Sequence, residues 1–200
     1  MSFQVGITGG IGAGKTTITR IFQALEIPVY YADDRAKYLM TNNQDLKSNI
    51  TEHFGTLAYQ DEYLNNSFLA KTVFTDEEKL KLLNSLVHPA VMMDYMDWAE
   101  SHQNAPYTLK EAALLFETGS YKTLDLVILI DAPEEVRINR VLLRDSFRTK
   151  KDIEQIMAKQ FSDSKKRELA DLIIKNGESD MVIPQVITIH EKIQKKVKGI

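Results

Sequence analysis

Gly9-Gly10-Ile11-Gly12-Ala13-Gly14-Lys15-Thr16, with Thr17 behind it, decides how the rest of this chain is read. It fits the phosphate-binding pattern G-x-x-x-x-G-K-[ST]. Before it, Phe3-Gln4-Val5-Gly6-Ile7-Thr8 is short, apolar and β-branched, which predicts a buried strand. After it, Ile18, Ile21, Phe22 and Leu25 recur at helical spacing. The motif therefore stands at a turn from strand into helix, where its chemistry needs it. Glycines let the backbone approach a phosphate where a Cβ would collide. The turn aims N–H groups inward and the next helix adds its dipole. Lys15 supplies a mobile charge for β- and γ-phosphates, and the Thr16 hydroxyl is a Mg²⁺ ligand type.

Composition narrows the class. Two hundred residues suit one domain, or one domain with an inserted lobe. Hydrophobic residues at 44% and charged residues at 26% supply an ordinary globular core. Without cysteine there is neither a disulfide framework nor a thiolate metal site. The four histidines, at 53, 88, 102 and 190, show no ligand spacing. No apolar run suggests a membrane span, and the first strand begins too early for a signal peptide, so a cytoplasmic protein is expected. The net charge of −3 argues against general nucleic-acid affinity. Residues 137–167, however, carry ten Lys/Arg against four Asp/Glu, a distribution suited to a small polyanion.

Outward from the loop, the pattern alternates. The first helix runs to near Glu26, and Pro28-Val29-Tyr30-Tyr31-Ala32 reads as a second strand. Asp33-Asp34 then caps a helix. Residues 44–103 look almost entirely helical: Leu46, Ile50 and Phe54 form a stripe closed by Gly55, 67–74 is a short helix, and Thr75-Asp76-Glu77-Glu78 opens a long one kinked at Pro89. Strands return at 107–115 and at 126–131, the second unalternating and so buried on both faces. Pro133 starts another helix, Leu172-Ile173-Ile174 is a fifth strand, Asn176-Gly177 a turn, and 181–197 a closing amphipathic helix. The expected fold is α/β, a parallel doubly wound sheet of five strands with an inserted helical lobe.

Three classes of phosphate-loop protein compete. A GTPase would carry D-x-x-G, which is absent; Thr149-Lys150-Lys151-Asp152 imitates a guanine-reading T-K-x-D but follows no buried strand. Asp131 ends its strand as a Mg²⁺-binding aspartate would, yet Ala132-Pro133 follow instead of a catalytic glutamate, which weakens an ATPase reading. A kinase remains. It needs a carboxylate at a strand end near the loop to take the acceptor proton, and Asp33 is so placed, with a helix cap as its bland alternative. It also needs positive charge over the γ-phosphate. Arg137, Arg140 and Arg144 share one helix face, followed by Lys150, Lys151 and Lys159, which reads as a lid.

The chain resembles the dephospho-coenzyme A kinases over almost its whole length. The marks are the loop with Thr8 before it, then Ala32-Asp33, Leu86-Val87-His88-Pro89, Leu114-Leu115-Phe116-Glu117 and Asp131-Ala132-Pro133-Glu134. Arg140, Arg144-Asp145, Gln160, Ala170-Asp171 and Asn176-Gly177 complete the ordered set. The resemblance implies a P-loop kinase that uses ATP and Mg²⁺ to phosphorylate the ribose 3′-hydroxyl of dephospho-CoA. It places the ATP phosphates on Gly12, Ala13, Gly14, Lys15, Thr16 and Thr17, with Thr16 on the metal. It makes Asp33 the general base, Arg140 the lid arginine that reaches the nucleotide, Asn176 part of the turn near the adenine, and His88 part of the acceptor lobe. It divides the chain into a core at 1–33, 104–145 and 168–200, a helical CoA lobe at about 34–103 and a lid at about 146–167. Three residues depart from the family pattern: Tyr31 and Glu111 where aspartates are usual, and Ala113 where proline is usual. The rival expectations are a P-loop kinase of a nucleoside monophosphate or another small hydroxyl compound, and a nucleotide-switch or assembly ATPase.

Overall fold

The computed structural model describes residues 3–74 and 76–199, Phe74 through its backbone only. Its centre is a strand of the expected kind. β1 (Phe3–Thr8) alternates nothing: Val5 and Ile7 on one face are sealed, and Gly6 and Thr8 on the other are buried too. It lies in the middle of a five-stranded sheet, between β5 (Tyr107–Glu111) and β6 (Leu126–Asp131). β2 (Val29–Tyr31) and β7 (Leu172–Lys175) are the two edges, and every pairing is parallel. The order β2-β5-β1-β6-β7 brings the strand ends Tyr31, Glu111, Thr8, Asp131 and Lys175 to one edge of the sheet. Strand order reverses on either side of β1, and such a switch point is where open α/β sheets bind ligands.

The chain divides into two compact units, 1–31 with 99–200, and 32–98. In the first, α1 (Lys15–Ala24) and α9 (Val182–Lys198) cover the sheet, with Ile18, Phe22, Val186, Ile189 and Ile193 against Val5, Ile7 and Leu109. Burying a side chain of this size contributes about 1.5–3 kcal/mol. The remaining helices of this unit are α6 (Glu134–Arg144), α7 (Lys150–Ala158) and α8 (Asp163–Leu169).

The second unit contains α2 (Ala32–Asn42), α3 (Gln44–Phe54), α4 (Asn66–Phe74) and most of α5 (Glu77–Ser101). Its core is Leu39, Leu46, Ile50, Ala58, Leu69 and Val87. Asn43 caps α3 by accepting from the Leu46 N–H, and Gly55 closes it. Pro89 stands inside α5, which continues through it.

Four expectations need correction. The 44–103 stretch is not wholly helical: β3 (Tyr59–Gln60) and β4 (Tyr63–Leu64) form a hairpin whose turn residues, Asp61 and Glu62, have positive φ. Strands of two residues have no period to read. The strand expected over 107–115 stops at Glu111, because the chain turns away at Ala112 with its N–H donating to the Ile7 carbonyl. The first helix ends at Ala24 rather than near Glu26, which takes φ 61°. Asp33 and Asp34 lie inside the first turn of α2 rather than ahead of it. Thr75, expected to open the long helix, lies outside the described residues.

Candidate phosphate-binding site

The loop between β1 and α1 is shaped by partners far away in sequence. Gly12 and Gly14 hold φ of 78° and 90°, the left-handed region where a side chain is strained. Space enforces the same choice. A Cβ on Gly12 would strike the Arg137 carbonyl oxygen, and one on Gly14 would strike Asn176 Nδ2. Gly14 is also the N-cap of α1, so the first free N–H groups of the helix follow it directly at Lys15 and Thr16.

Asn176, just beyond β7, is the loop's main brace. Its Nδ2 donates to the Ala13 carbonyl at 2.8 Å, its own N–H to the Asp131 carbonyl at 2.7 Å, and its carbonyl accepts from Arg140 Nη1 at 2.8 Å. Arg140 Nη2 also reaches the Gly177 carbonyl at 3.4 Å. From the opposite side, Gln160 Oε1 accepts from the Ile11 N–H at 3.1 Å, while its Nε2 donates to the Ala113 carbonyl at 3.4 Å. Glu117 Oε1 accepts from the Phe161 N–H at 2.7 Å. The family marks Gln160, Glu117 and Asn176 are thus bound to the loop or to the chain beside it.

Lys15 points back over the loop. Its Nζ donates to the Gly9 carbonyl at 3.3 Å and stands 3.7 Å from Glu111 Oε1. Glu111, 8% exposed, is the last residue of β5. Thr16 and Thr17 are exposed on the first turn of α1, whereas Ala13 is buried. Tyr31, where an aspartate is usual, turns its ring toward α1: its hydroxyl donates to Gln23 Oε1 at 3.0 Å and lies 3.2 Å from the Thr19 hydroxyl. Asp131 is occupied by Arg167, whose Nε and Nη2 reach its two oxygens at 2.8 and 3.0 Å.

The arginine face expected on α6 is not a shared one. Arg137 is not on an open face with Arg140 and Arg144; it is 3% exposed. Its Nε donates to the Ala132 carbonyl at 3.0 Å and its Nη2 to Asp163 Oδ2 at 2.6 Å, tying α6 to α8. Of these three arginines Arg144 is the exposed one, paired with its neighbour Asp145 at 2.8 Å. Ile153 of α7 is sealed with Ile138 and Val141 of α6, against Ile11 of the loop. One apolar residue per turn was enough for burial, a signal the charge run hid. Thr149 and Asp152 form a capping box at the start of α7, which accounts for the imitation of a guanine-reading motif.

Two expected site residues belong to the helical unit. Asp33 is the second residue of α2, directly after β2 ends at Tyr31. His88 is exposed in the middle of α5, one residue before Pro89. Sequence reading missed the bracing by Gln160, Glu117 and Asn176, since partners dozens to more than a hundred positions apart have no local signature.

The dephospho-CoA kinase family model matches residues 3–181. A dephospho-CoA kinase of Porphyromonas gingivalis is 32% identical over 192 residues, which is 96% of this chain and 95% of the relative. One from Salinibacter ruber is 38% identical over 176 residues, 86% of this chain and 87% of the relative. Among solved structures, a Thermus thermophilus protein superimposes with a TM-score of 0.82 at 28% identity, covering 98% of this chain and 97% of its own. A dephospho-CoA kinase from Campylobacter jejuni gives a TM-score of 0.71 at 24% identity over 98% of this chain and 99% of its own, a likeness of fold. A five-stranded parallel sheet, a braced phosphate loop at its switch point and matches along nearly the full length agree: this chain belongs to the dephospho-CoA kinase family.

Proposed function

We propose that this protein transfers the γ-phosphoryl group of ATP to the ribose 3′-hydroxyl of dephospho-CoA, giving coenzyme A and ADP. The observation that carries the reading is the match of the dephospho-CoA kinase model to residues 3–181, with the phosphate loop already built inside that span. The N–H groups at the start of α1 receive phosphate oxygens, and Lys15 follows the charge of the group that moves. Arg140, now on the Asn176 and Gly177 carbonyls, stands 3.9 Å from where a Gly14 Cβ would be and is the arginine for the nucleotide. Asn176 holds the loop in register beneath the phosphates and borders the adenine end. Asp33 orients the acceptor hydroxyl and takes its proton as the O–P bond forms and the bond to the β-phosphate oxygen breaks. The acceptor is held by the helical part at about 34–103, His88 included, with 146–167 covering the phosphates and 1–33, 104–145 and 168–200 as core.

The exposed Thr16 hydroxyl and the Glu111 carboxylate are oxygen donors of the kind Mg²⁺ takes when phosphates supply its other ligands. Bound there, the ion would neutralise charge on the β- and γ-phosphates. Among the described residues no helix is long and apolar enough to cross a membrane, and we place the reaction in the cytoplasm.

Coupled ADP release tests the assignment. Dephospho-CoA is expected to stimulate it strongly, and nucleoside monophosphates, protein or nucleic acid are not; stimulation by one of these instead would replace the acceptor class. Lys15→Ala is expected to keep its circular dichroism spectrum and lose about 10²- to 10³-fold in turnover, since catalysis here is mainly electrostatic. Retention of more than about a tenth of wild-type turnover would rule out the loop as the transfer site.

A further inference from the structure

Lys166 is the most deeply buried lysine of the described residues, 2% exposed on α8. Its backbone is satisfied, the N–H donating to Ser162 and the carbonyl accepting from Ala170. Among the described residues its ammonium makes no side-chain hydrogen bond or ion pair, in contrast to the cations around it. Arg137 is committed to Asp163 and the Ala132 carbonyl, and Lys15 to the Gly9 carbonyl with Glu111 beside it. Among the described residues, Thr108 Oγ1 and Glu117 Oε2 are sealed side-chain oxygens without a hydrogen-bond partner; Lys166 Nζ is not such a sealed atom, so the little of this residue that meets open space includes its ammonium.

Contacts tie its helix to the phosphate loop: Arg137 Nη2 holds Asp163, three residues before Lys166 on α8, while Arg137 Nη1 occupies the place a Gly10 Cβ would take. Glu117 and Asp163 attract the ammonium, and Arg137 and Lys15 repel it. Lys15 is the phosphate-loop lysine and Glu117 braces the chain just before α8 through the Phe161 N–H. One residue earlier, Gln160 holds the Ile11 N–H of the loop itself. α8 therefore leaves from a point tied to the phosphate loop and presents a cation to the same neighbourhood as Lys15. A buried ammonium without an anion is expensive and is normally neutralised or paired. Burial does lower its pKa from the ordinary 10.5, with Arg137 and Lys15 adding to the effect and the two carboxylates only partly opposing it.

We propose that Lys166 is a second phosphate-contacting lysine, whose ammonium donates to a β- or γ-phosphate oxygen of the bound nucleotide. The proposal rests on the nucleotide-binding part of the reading above and not on the identity of the acceptor. The polyphosphate supplies an anion beyond Glu117 and Asp163, whose carboxylates are engaged with the Phe161 N–H and Arg137. Its arrival raises the lysine's pKa, so binding takes up a proton at pH values between the lowered value and 10.5.

Lys166→Met and Lys166→Arg, compared by calorimetric titration with ATP, ADP and AMP, test this. Losing one charge-assisted bond is expected to weaken ATP binding about 10- to 100-fold in Lys166→Met. ADP follows in part and AMP changes little. Thermal stability is expected to hold or rise, because methionine replaces an unpaired buried cation. Lys166→Arg is expected to recover part of the ATP affinity. Repeating the wild-type titration at alkaline pH in buffers of different ionisation enthalpy reads the proton uptake, which Lys166→Met should abolish. Equal loss for ATP and AMP, unchanged ATP affinity in Lys166→Met, or loss of the fold in both variants would overturn the proposal. A wild-type protein showing this ATP-selective pattern but transferring nothing to dephospho-CoA would instead retire the acceptor assignment and leave Lys166 on the phosphates.

Discussion

The phosphate loop and the helical unit at 32–98 are held by different kinds of force. The loop has little to pack: between Gly9 and Thr16 the sealed apolar side chain is Ala13. It is held by directional bonds from Asn176 and Gln160, and by backbone that must approach Arg137 and Asn176 too closely for a side chain on Gly12 or Gly14. In the helical unit the balance is reversed. Leu39, Leu46, Ile50, Ala58, Leu69 and Val87 make an apolar core, supplemented by a few polar ties such as Arg35 Nε on Asp94 at 2.8 Å and Tyr59 OH on the Met40 carbonyl at 2.7 Å. Burial pushes the Tyr59 hydroxyl up to about 12, so it remains a donor across the useful pH range. Packing tolerates approximate volumes, whereas a loop that must present several N–H groups to one anion needs its bonds at fixed places.

Asp33→Asn puts the largest strain on this contrast, because Asp33 belongs by sequence to the helical unit but is assigned a part in the chemistry. Asparagine suits a first turn nearly as well, so stability should move by less than about 1 kcal/mol. Turnover should fall about 10²- to 10⁴-fold, the range for a lost general base. ATP affinity should stay, since every group that shapes the loop is elsewhere. Asp34→Asn, exposed and paired only with Lys37, is expected to be nearly silent. If the two variants behave alike, or Asp33→Asn mainly weakens ATP binding, the base is another residue.

A matched pair of core substitutions separates the two kinds of support. Ile50→Ala in the helical unit should cost about 2–5 kcal/mol through its cavity and leave the ATP dissociation constant unchanged in the folded fraction. Arg137→Met should cost about 1–3 kcal/mol, below the figure for a wholly buried pair because Asp163 is a third exposed and can turn to water. It should also weaken ATP binding, since the Arg137 guanidinium fills the space beside Gly10 of the loop. Denaturant midpoints and titrations on the same samples decide it. Equal effects on ATP binding would mean that the two regions are not energetically distinct.

A smaller effect is expected from Asn176→Ala, which removes the bond to the Ala13 carbonyl. One such bond contributes about 0.5–1.5 kcal/mol, so ATP affinity should fall about 2- to 12-fold with turnover at saturation little changed. A fall in turnover without a change in affinity would place Asn176 at the reacting atoms instead of behind the loop.

Local pattern carried most of the architecture. An unalternating strand, a glycine-rich turn and a helical stripe were legible because each is decided within about ten residues, and the parallel pairing followed from strands alternating with helices. What escaped was decided at long range or by very few residues. The 59–64 hairpin is too short to show a period, and the stop at Glu111 depends on a hydrogen bond to Ile7. Arg137 reads as a surface charge until its partners at Ala132 and Asp163 are known. For the site, the phosphate-loop residues were evident from their spacing, but their braces were visible only as unexplained family marks.

The least effect is expected at His190, where the nucleotide-side unit relies on a group that titrates near neutrality. His190 Nδ1 lies 2.7 Å from the Tyr107 hydroxyl, joining α9 to β5, and the rings are tilted at 5.7 Å between centroids. Burial keeps the tyrosine protonated, so its hydroxyl donates and Nδ1 accepts, which requires the neutral imidazole with its hydrogen on Nε2. Burial also lowers the His190 pKa from 6.5, with Glu191 partly opposing. The sign follows by linkage. Between the lowered value and 6.5 the unfolded chain binds more protons than the folded one, so this contribution is complete above the ordinary value and is lost as pH falls through that window. His190→Gln lacks the titration, so the stability difference between wild type and variant should shrink from about pH 7.5 to about pH 5.5. ATP affinity should not follow it, because neither residue touches the phosphate loop. If the difference grows toward acid, the imidazolium is the favoured form in the fold, and the donor in this contact is the histidine.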